Sequence, residues 1–455
     1  MTNTTGTIKE NKMGVMPVKK LIINMSVPMM ISMLVQALYN IVDSIFVAQI
    51  SENALAAVTF AFPLQNLMIA AGCGTGVGMN ALLSRSLGEK NFDCADDAAN
   101  TGLFLSALNF IVFLLAGIFV TGPFIASQTS VPEIIEAGDT YLRIVCMFSV
   151  GLFFQLTFER QLQSTGQSVL SMCSQLTGAI LNIIFDPIMI FGLFGCPKLG
   201  VAGAAYATVL GQCIAACLGL FLNLRFNKEL HLSLSRILHP KKAVIGQIYY
   251  VGVPSILMMA IGSIMTYCMN LILAAFSTTA AAVFGVYFKL QSFFFMPVFG
   301  LNNGLIPILA YNLGARKKQR INEALKFAIS LAICIMLCGT LAFELMPEIL
   351  LHLFNASDDM LMIGIPALRI IAIHFPLAAC GIVMGSIFQA FSQSFYSLIV
   401  SLGRQLVVLI PVAWLLSLSG SVHNVWWCFF IAELVSLMLS ICFFRKVYRK
   451  KVAPL

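Results

Sequence analysis

The chain has 455 residues, 59% of them hydrophobic and only 10% charged, with a mean hydropathy of +0.92. Soluble globular proteins carry about 25% charged residues, so an ordinary soluble domain is excluded. The net charge of +8 comes without any basic run interleaved with aromatics, which leaves no case for a nucleic-acid partner.

The first element is a lysine-bearing polar segment, residues 1–20. It has no short apolar region followed by a small-residue cleavage site and reads as a retained tail. Apolar runs of the roughly 20 residues needed to cross about 30 Å of hydrocarbon then recur to the end of the chain. They fall at about 21–49, 54–84, 98–121, 134–158, 166–192 and 199–224. After the basic linker "RFNKELHLSLSRILHPKK", 225–242, they resume at about 243–275, 280–311, 323–346, 360–389, 394–418 and 423–444, and a basic tail, 445–455, follows. The runs are too long for the ten-residue alternating strands of an outer-membrane barrel. The expected fold is an all-α membrane protein with twelve transmembrane helices.

Taking connecting segments alternately from the N-terminus, all but five of the 27 Lys and Arg fall on one side; the five are Lys198, on the other side, and Arg143, Lys289, Arg369 and Arg404 inside helices. The excess predicts that both termini are cytoplasmic in a multi-pass protein of the cell membrane. Thirteen Cys, nearly all within apolar runs and none as CxxC, read as small core hydrophobes rather than disulfides or a metal site.

Polar groups inside these runs carry the functional signal. In "LVQALYNIVDSIFVAQI", 34–50, Asp43 stands where a charge costs roughly 2.5 to 3.5 kcal/mol. Ser32, Gln36, Tyr39, Asn40 and Asp43 recur at spacings of three and four, one face of a helix that must look at protein or water. "GCGTGVG", 72–78, lacks the third glycine of a dinucleotide fingerprint and sits within an apolar run, so close helix packing is the reading. Asp139 and Arg143 form an i, i+4 pair. In "LNIIFDPIMIF", 181–191, Asn182 and Asp186 lie one turn apart, and Ser171, Gln175, Gly178 and Ala179 extend that face. Asp43 and Asp186 both fall about 10 Å below the outer surface at 1.5 Å per residue. Thr208 and Gln212 make a further i, i+4 pair, Lys289 lacks an evident partner and either snorkels or lines a C-lobe cavity, and Arg404 and Glu433 stand at similar depth as an expected structural ion pair. Pro28 and Pro187 each remove a helical hydrogen bond and mark a kink or hinge.

Sliding the chain against itself by 226 residues aligns "SVP" (26–28) with "GVP" (252–254), "LQ" (64–65) with "LQ" (290–291), and "SLGEK" (86–90) with "NLGAR" (312–316). The same shift aligns "YLRIV" (141–145) with "ALRII" (367–371), and "QSTGQS" (163–168) with "QAFSQS" (389–394). One ungapped shift serving five matches implies two homologous halves, an N-lobe at 21–224 and a C-lobe at 243–444. Six helices each makes them parallel repeats, and two such lobes around a central cavity is transporter geometry. Asp43 meets Met269 in this alignment, so the carboxylate belongs to one lobe.

Two carboxylates at matching depth beside Tyr39, Asn182 and Thr208 can share a proton, or can form an all-oxygen cage for a hard cation such as sodium. The residues that point furthest are "SVPMMISMLVQALYNIVDSIFVAQI", "LNIIFDPIMIF", "GVAGAAYAT" and "LGARKKQRINEA". Set in a duplicated six-plus-six bundle, they resemble the multidrug and toxic compound extrusion (MATE) family, in its bacterial branch with an N-lobe cation site. The resemblance implies that Tyr39, Asp43, Asn182, Asp186 and Thr208 occupy that site, and that Pro28 is the proline that bends in some members. It also implies exchange of protons or sodium ions for amphipathic, often cationic drugs. Gln36, Asn40, Gln175, Gln212 and Lys289 are the expected polar lining of the substrate cavity. No Walker motif and no nucleophile triad occur, so neither ATP nor an enzymatic role is expected, nor any cofactor beyond the coupling ion, and a monomer is the expected state. The alternatives are a lipid-linked oligosaccharide flippase, which would need a basic cavity for a pyrophosphate, and an ion channel.

Overall fold

The computed structural model describes residues 10–354 and 356–455, so residues 1–9 of the expected tail lie outside the described residues. Among the described residues there is no strand. The first half of the chain forms α1 Val18–Ala48, α2 Glu52–Gly88, α3 Phe92–Phe119, α4 Pro132–Met147, α5 Val150–Ser164, α6 Ser168–Phe191 and α7 Val201–Phe226. The second half repeats the series as α8 Lys242–Ala274, α9 Thr278–Gly314, α10 Lys318–Leu345, α11 Asp358–Ala372, α12 Phe375–Ala390, α13 Ser394–Ser417 and α14 Trp427–Lys451. Counting the bent pairs α4/α5 and α11/α12 as single spans gives the expected twelve membrane crossings.

Those two bends fall within the spans expected at 134–158 and 360–389. The first turns by 47° at Phe148, whose backbone (φ −105°, ψ 21°) leaves the helical region. The second turns by 49° just before Pro376, which lacks an N–H to continue the preceding ladder and instead starts a new helix. The fourth apolar run also continues to Ser164, past the expected end at 158. Within α13, Gly403–Leu409 is π-helical, a local widening that hydropathy does not register.

The duplication is visible in the backbone. Lys90 (φ 59°) and Arg316 (φ 56°) both take the left-handed conformation, as do Gly166 (φ 86°) and Ser392 (φ 56°), each pair at the 226-residue shift. Non-glycine residues rarely hold this geometry. At each site it lets a helix end close on itself, as when the Asn91 N–H bonds the Ser86 carbonyl and the Lys317 N–H bonds that of Asn312, both at 2.9 Å.

The chain divides into two compact units, one spanning Ile31–Ile256 and the other Met1–Met30 with Leu257–Leu455. Both divisions cut a long helix two residues after a proline, Pro28 in α1 and Pro254 in α8. The first unit therefore contains the start of α8, which packs on α2 at Gly74 and Gly78; a Cβ at Gly74 would lie 2.8 Å from the Gly252 carbonyl oxygen. "GCGTGVG" is thus a close helix contact. The second unit contains the start of α1, which packs on α9 in the equivalent way: a Cβ at Gly304 would lie 2.6 Å from Ser26 Oγ and one at Gly300 2.6 Å from Met30 Cα. The first unit's core gathers Met68, Phe113, Tyr141, Phe153 and Ile190. The second is rich in edge-on aromatic pairs, among them Phe295 with Phe375 and Tyr287 with Phe429, whose centroids lie 5.3 and 5.6 Å apart. All thirteen Cys are free, but only Cys146 and Cys428 are buried. The expectation that they fill the core is corrected: helix faces turned to lipid accept the same small apolar residue.

Each unit is strapped by the segment leading into a long helix. Asp93, Asp96 and Asp97 open α3, where a helix N-terminus favours negative charge. Lys241 Nζ donates to Asp97 Oδ2 at 2.5 Å, and Arg236 reaches Asp97 and Asp93 at 3.2 and 3.1 Å. Asp96 Oδ1 accepts the His231 N–H at 2.8 Å. In the other unit Arg320 donates to the Met13 and Met16 carbonyls at 3.0 and 2.7 Å, and Asn312 also binds Met13. Hydrogen bonding by Asp93 raises the pKa of Arg236, and hydrogen bonding by Asp97 raises that of Lys241. Because both folded values are raised, their contribution is complete at neutral pH and is lost only as pH climbs beyond the ordinary lysine range. Asp97→Asn is expected to speed protease cleavage within 225–242 while leaving the melting transition of the helices nearly unchanged; an unchanged cleavage rate would contradict the strap.

Candidate cation site

Four helices of the Ile31–Ile256 unit bring polar groups together. α1 contributes Ser32, Gln36, Tyr39 and Asp43 on one face, α6 contributes Gln175, Asn182 and Asp186, α7 contributes Thr208 and Gln212, and α5 contributes Gln155 and Glu159. The α6 and α7 backbones can meet because Gly211 has no side chain; a Cβ there would stand 2.9 Å from the Gly178 carbonyl oxygen. One turn further along, this contact sets Thr208 against Asn182.

Asp186 is completely buried, and Asn182 and Thr208 nearly so. With its nitrogen turned to Asp186, the Asn182 amide donates to Asp186 Oδ2 at 3.2 Å, and its oxygen accepts from Thr208 Oγ1 at 3.1 Å. Asp43 and Asp186 approach within hydrogen-bonding reach of each other, and the Tyr39 phenol lies close to both. Asp43 Oδ1, Asp186 Oδ1 and Ser32 Oγ are buried oxygens without a protein hydrogen-bond partner. Burying a polar group uncompensated costs energy, so oxygens left open in this way are suited to a proton or a small cation. α1 and α6 are also tied by a Gln175 Nε2 to Gln36 Oε1 bond of 2.9 Å.

Next to the carboxyl pair, which does not itself line it, is a cavity of about 60 Å³ bounded by Tyr39, Asn182, Thr208, Gln36, Gln175 and Gln212 among others. Such a volume holds one or two water molecules or an ion, whereas drug-sized ligands need roughly 300 Å³ or more. Gln36, Gln175 and Gln212, expected in the substrate cavity, line this space. Asn40 is exposed and does not line it. Lys289 is exposed on α9 and has no ion-pair partner among the described residues. Pro28 sits inside α1 and Pro187 inside α6, and both helices run on unbroken.

Sequence reading missed Glu159, because the helix was expected to stop at 158. Glu159 is buried, accepts from Gln155 Nε2 at 2.9 Å and lines the same cavity. The Gln155–Glu159 i, i+4 pair was the available signal. Arg160, counted among the connecting segments, is buried inside α5 and donates to Gln163 Oε1 at 3.0 Å. The one charged residue lining the cavity is thus the acid Glu159, where a pyrophosphate-linked lipid would need cations.

The two ion pairs stand apart from this cavity. Arg143 Nη2 meets Asp139 Oδ2 at 2.8 Å, and Asp139 Oδ1 also accepts from Thr121. Arg404 Nη1 donates to Glu433 Oε2 at 3.0 Å, with Glu433 buried, Arg404 only 30% exposed, and His374 stacked on neighbouring Phe429. Removing one partner of such a pair strands the other. Glu433→Leu is expected to lower stability by roughly 2 kcal/mol, below the fully buried range because Arg404 reaches solvent; an unchanged melting temperature in detergent would refute this.

The sequence pattern of the MatE family matches residues 28–188 and again 254–415, two segments offset by the same 226 residues that relate the halves. The chain is 26% identical over 425 residues to the multidrug export protein MepA of Staphylococcus haemolyticus (strain JCSC1435), covering 92% of each chain. It superposes with a TM-score of 0.90 and 26% identity on a multidrug resistance MATE family transporter of the MOP superfamily in its outward-facing conformation, covering 97% of this chain and 98% of that one. A MOP superfamily transporter from Pyrococcus furiosus, described as having a binding pocket of reverse polarity and a different function, gives a TM-score of 0.87 at 25% identity over 97% of this chain and 98% of that one. With the family pattern found twice in a helical bundle that carries this acidic cavity, the chain belongs to the MatE family of membrane transporters.

Proposed function

We propose that this transporter is a secondary active multidrug efflux antiporter, exchanging amphipathic, often cationic drugs for protons or sodium ions by alternating access. The observation that carries the reading is the pair Asp43 and Asp186, each with an unpartnered buried oxygen, joined through Asn182 to a polar cavity. The names of relatives such as the multidrug export protein MepA support drugs as the cargo. A coupling ion entering the cavity neutralises the carboxyl pair. That removes the attraction for a cationic drug, so the two cargos compete for one charge. Asn182 and Thr208 hold Asp186 in place, Gln36 and Gln175 tie α1 to α6, and Pro28 supplies the hinge two residues before α1 passes between units. The excess of Lys and Arg supports cytoplasmic termini in a cell-membrane protein, and a monomer is the proposed working unit.

The test is efflux of a fluorescent lipophilic cation from liposomes holding the purified protein, under an imposed pH gradient and then an imposed sodium gradient. One of the two gradients is expected to drive accumulation against the drug gradient. If neither does, or if unitary ion currents appear instead, antiport is wrong.

A further inference from the structure

Arg445, Lys446, Arg449 and Lys450 are exposed at the end of α14, where with Cys442 they form an open basic patch on one side of the helix. None of the four cations has a carboxylate partner among the described residues; Lys446 lies only over the Tyr396 ring, at 5.7 Å. The cluster is held in place rather than trailing as a loose tail. Tyr448, on the opposite face, donates to Asn322 Oδ1 at 2.8 Å, Val447 is buried, and Lys318 Nζ binds the Ala453 carbonyl at 2.7 Å. Four like charges gathered on an anchored helix end without a counter-ion repel one another, so the patch favours an anion from outside.

The cations continue an apolar face. Ile431, Leu434 and Met438 are 37%, 40% and 60% exposed, and with Cys442, Arg445 and Arg449 they recur at spacings of three and four along one side of α14. In a membrane helix such a stripe meets acyl chains, and the charged end meets headgroups. A ligand matching both halves has a hydrocarbon chain and an anionic phosphate.

We propose that the C-terminal end of α14 is a binding site for an anionic phospholipid, with the headgroup phosphate between Arg445 and Arg449 and an acyl chain along Ile431, Leu434 and Met438. Native mass spectrometry of the full chain in detergent, titrated with phosphatidylglycerol or phosphatidylcholine, tests it. Wild type is expected to retain phosphatidylglycerol preferentially. The double variant Arg445→Gln/Arg449→Gln is expected to lose roughly 10- to 30-fold in affinity for it, with phosphatidylcholine retention unchanged and Arg445→Lys/Arg449→Lys largely restored. Equal retention by wild type and the Gln variant would overturn the site. Two outcomes need no variant: displacement of the lipid by millimolar inorganic phosphate would show a free-phosphate site, and equal retention of both lipids a merely apolar groove, and either would overturn the proposal.

Discussion

Asp43→Asn is expected to abolish drug efflux while the protein folds and inserts as before, and Asp186→Asn is expected to do the same. The amide keeps the shape of the carboxyl group but cannot take up a proton or balance a cation's charge. Because Asp43 Oδ1 and Asp186 Oδ1 make no protein hydrogen bond, little structural support is lost. Removing a charge from a low-dielectric setting even relieves a cost. The melting temperature in detergent is therefore expected to hold or rise slightly while drug resistance of cells expressing either variant falls to that of cells without the protein. Normal resistance at equal expression would move the ion site elsewhere.

The second large effect concerns the helix contacts next to the two prolines. A Cβ at Gly78 would collide with the Ile248 carbonyl, and one at Gly304 would lie 2.9 Å from Ser26 Cα, so backbone rather than a flexible side chain has to move. Gly78→Ala and Gly304→Ala are each expected to cost about 1 to 3 kcal/mol, outweighing the roughly 1 kcal/mol that alanine gains over glycine inside a helix. Gly246→Ala supplies the control: it lies in α8 with no atom within 4 Å of the added Cβ, so only the helical gain remains. Thermal denaturation of the three variants in one detergent should lower the first two and leave the third unchanged or raised. Equal shifts for all three would mean that these contacts do not govern stability.

Much of this was readable from the chain because a bilayer imposes strong constraints. Backbone groups must be satisfied within each span, so apolar length alone located the helices. The 226-residue repeat and the lone acids of 34–50 and 181–191 then marked the site. What hydropathy could not register was local geometry. The bend at Phe148 carries no proline, and the run through Glu159 and Arg160 looks like a helix end because two charges follow an apolar stretch. Pro376 was an available signal of the other bend that the sequence reading did not use. Glu159 was lost with the misplaced helix end, and the straps at 231–241 and 10–16 were invisible because their partners, Asp97 and Arg320, lie far away in sequence.

The alignment of halves also shows where the repeats have diverged. At the shift of 226, Asp43, Glu159 and Asp186 meet Met269, Gly385 and Val412, while Arg404 and Glu433 meet Gly178 and Ala207. Among the described residues the first repeat keeps Asp43, Glu159 and Asp186 outside any ion pair, and the second keeps a closed Arg–Glu pair. On the proposed function, ion handling falls to the first repeat.

The central claim is that drug and coupling ion are exchanged through Asp43 and Asp186. In liposomes with no ion gradient, an imposed gradient of a fluorescent lipophilic cation should drive the counter-ion the opposite way, followed by an internal pH dye and, separately, by radioactive sodium. Wild type is expected to move one of the two ions and Asp43→Asn neither. An ion flux in Asp43→Asn equal to that of wild type would contradict the account.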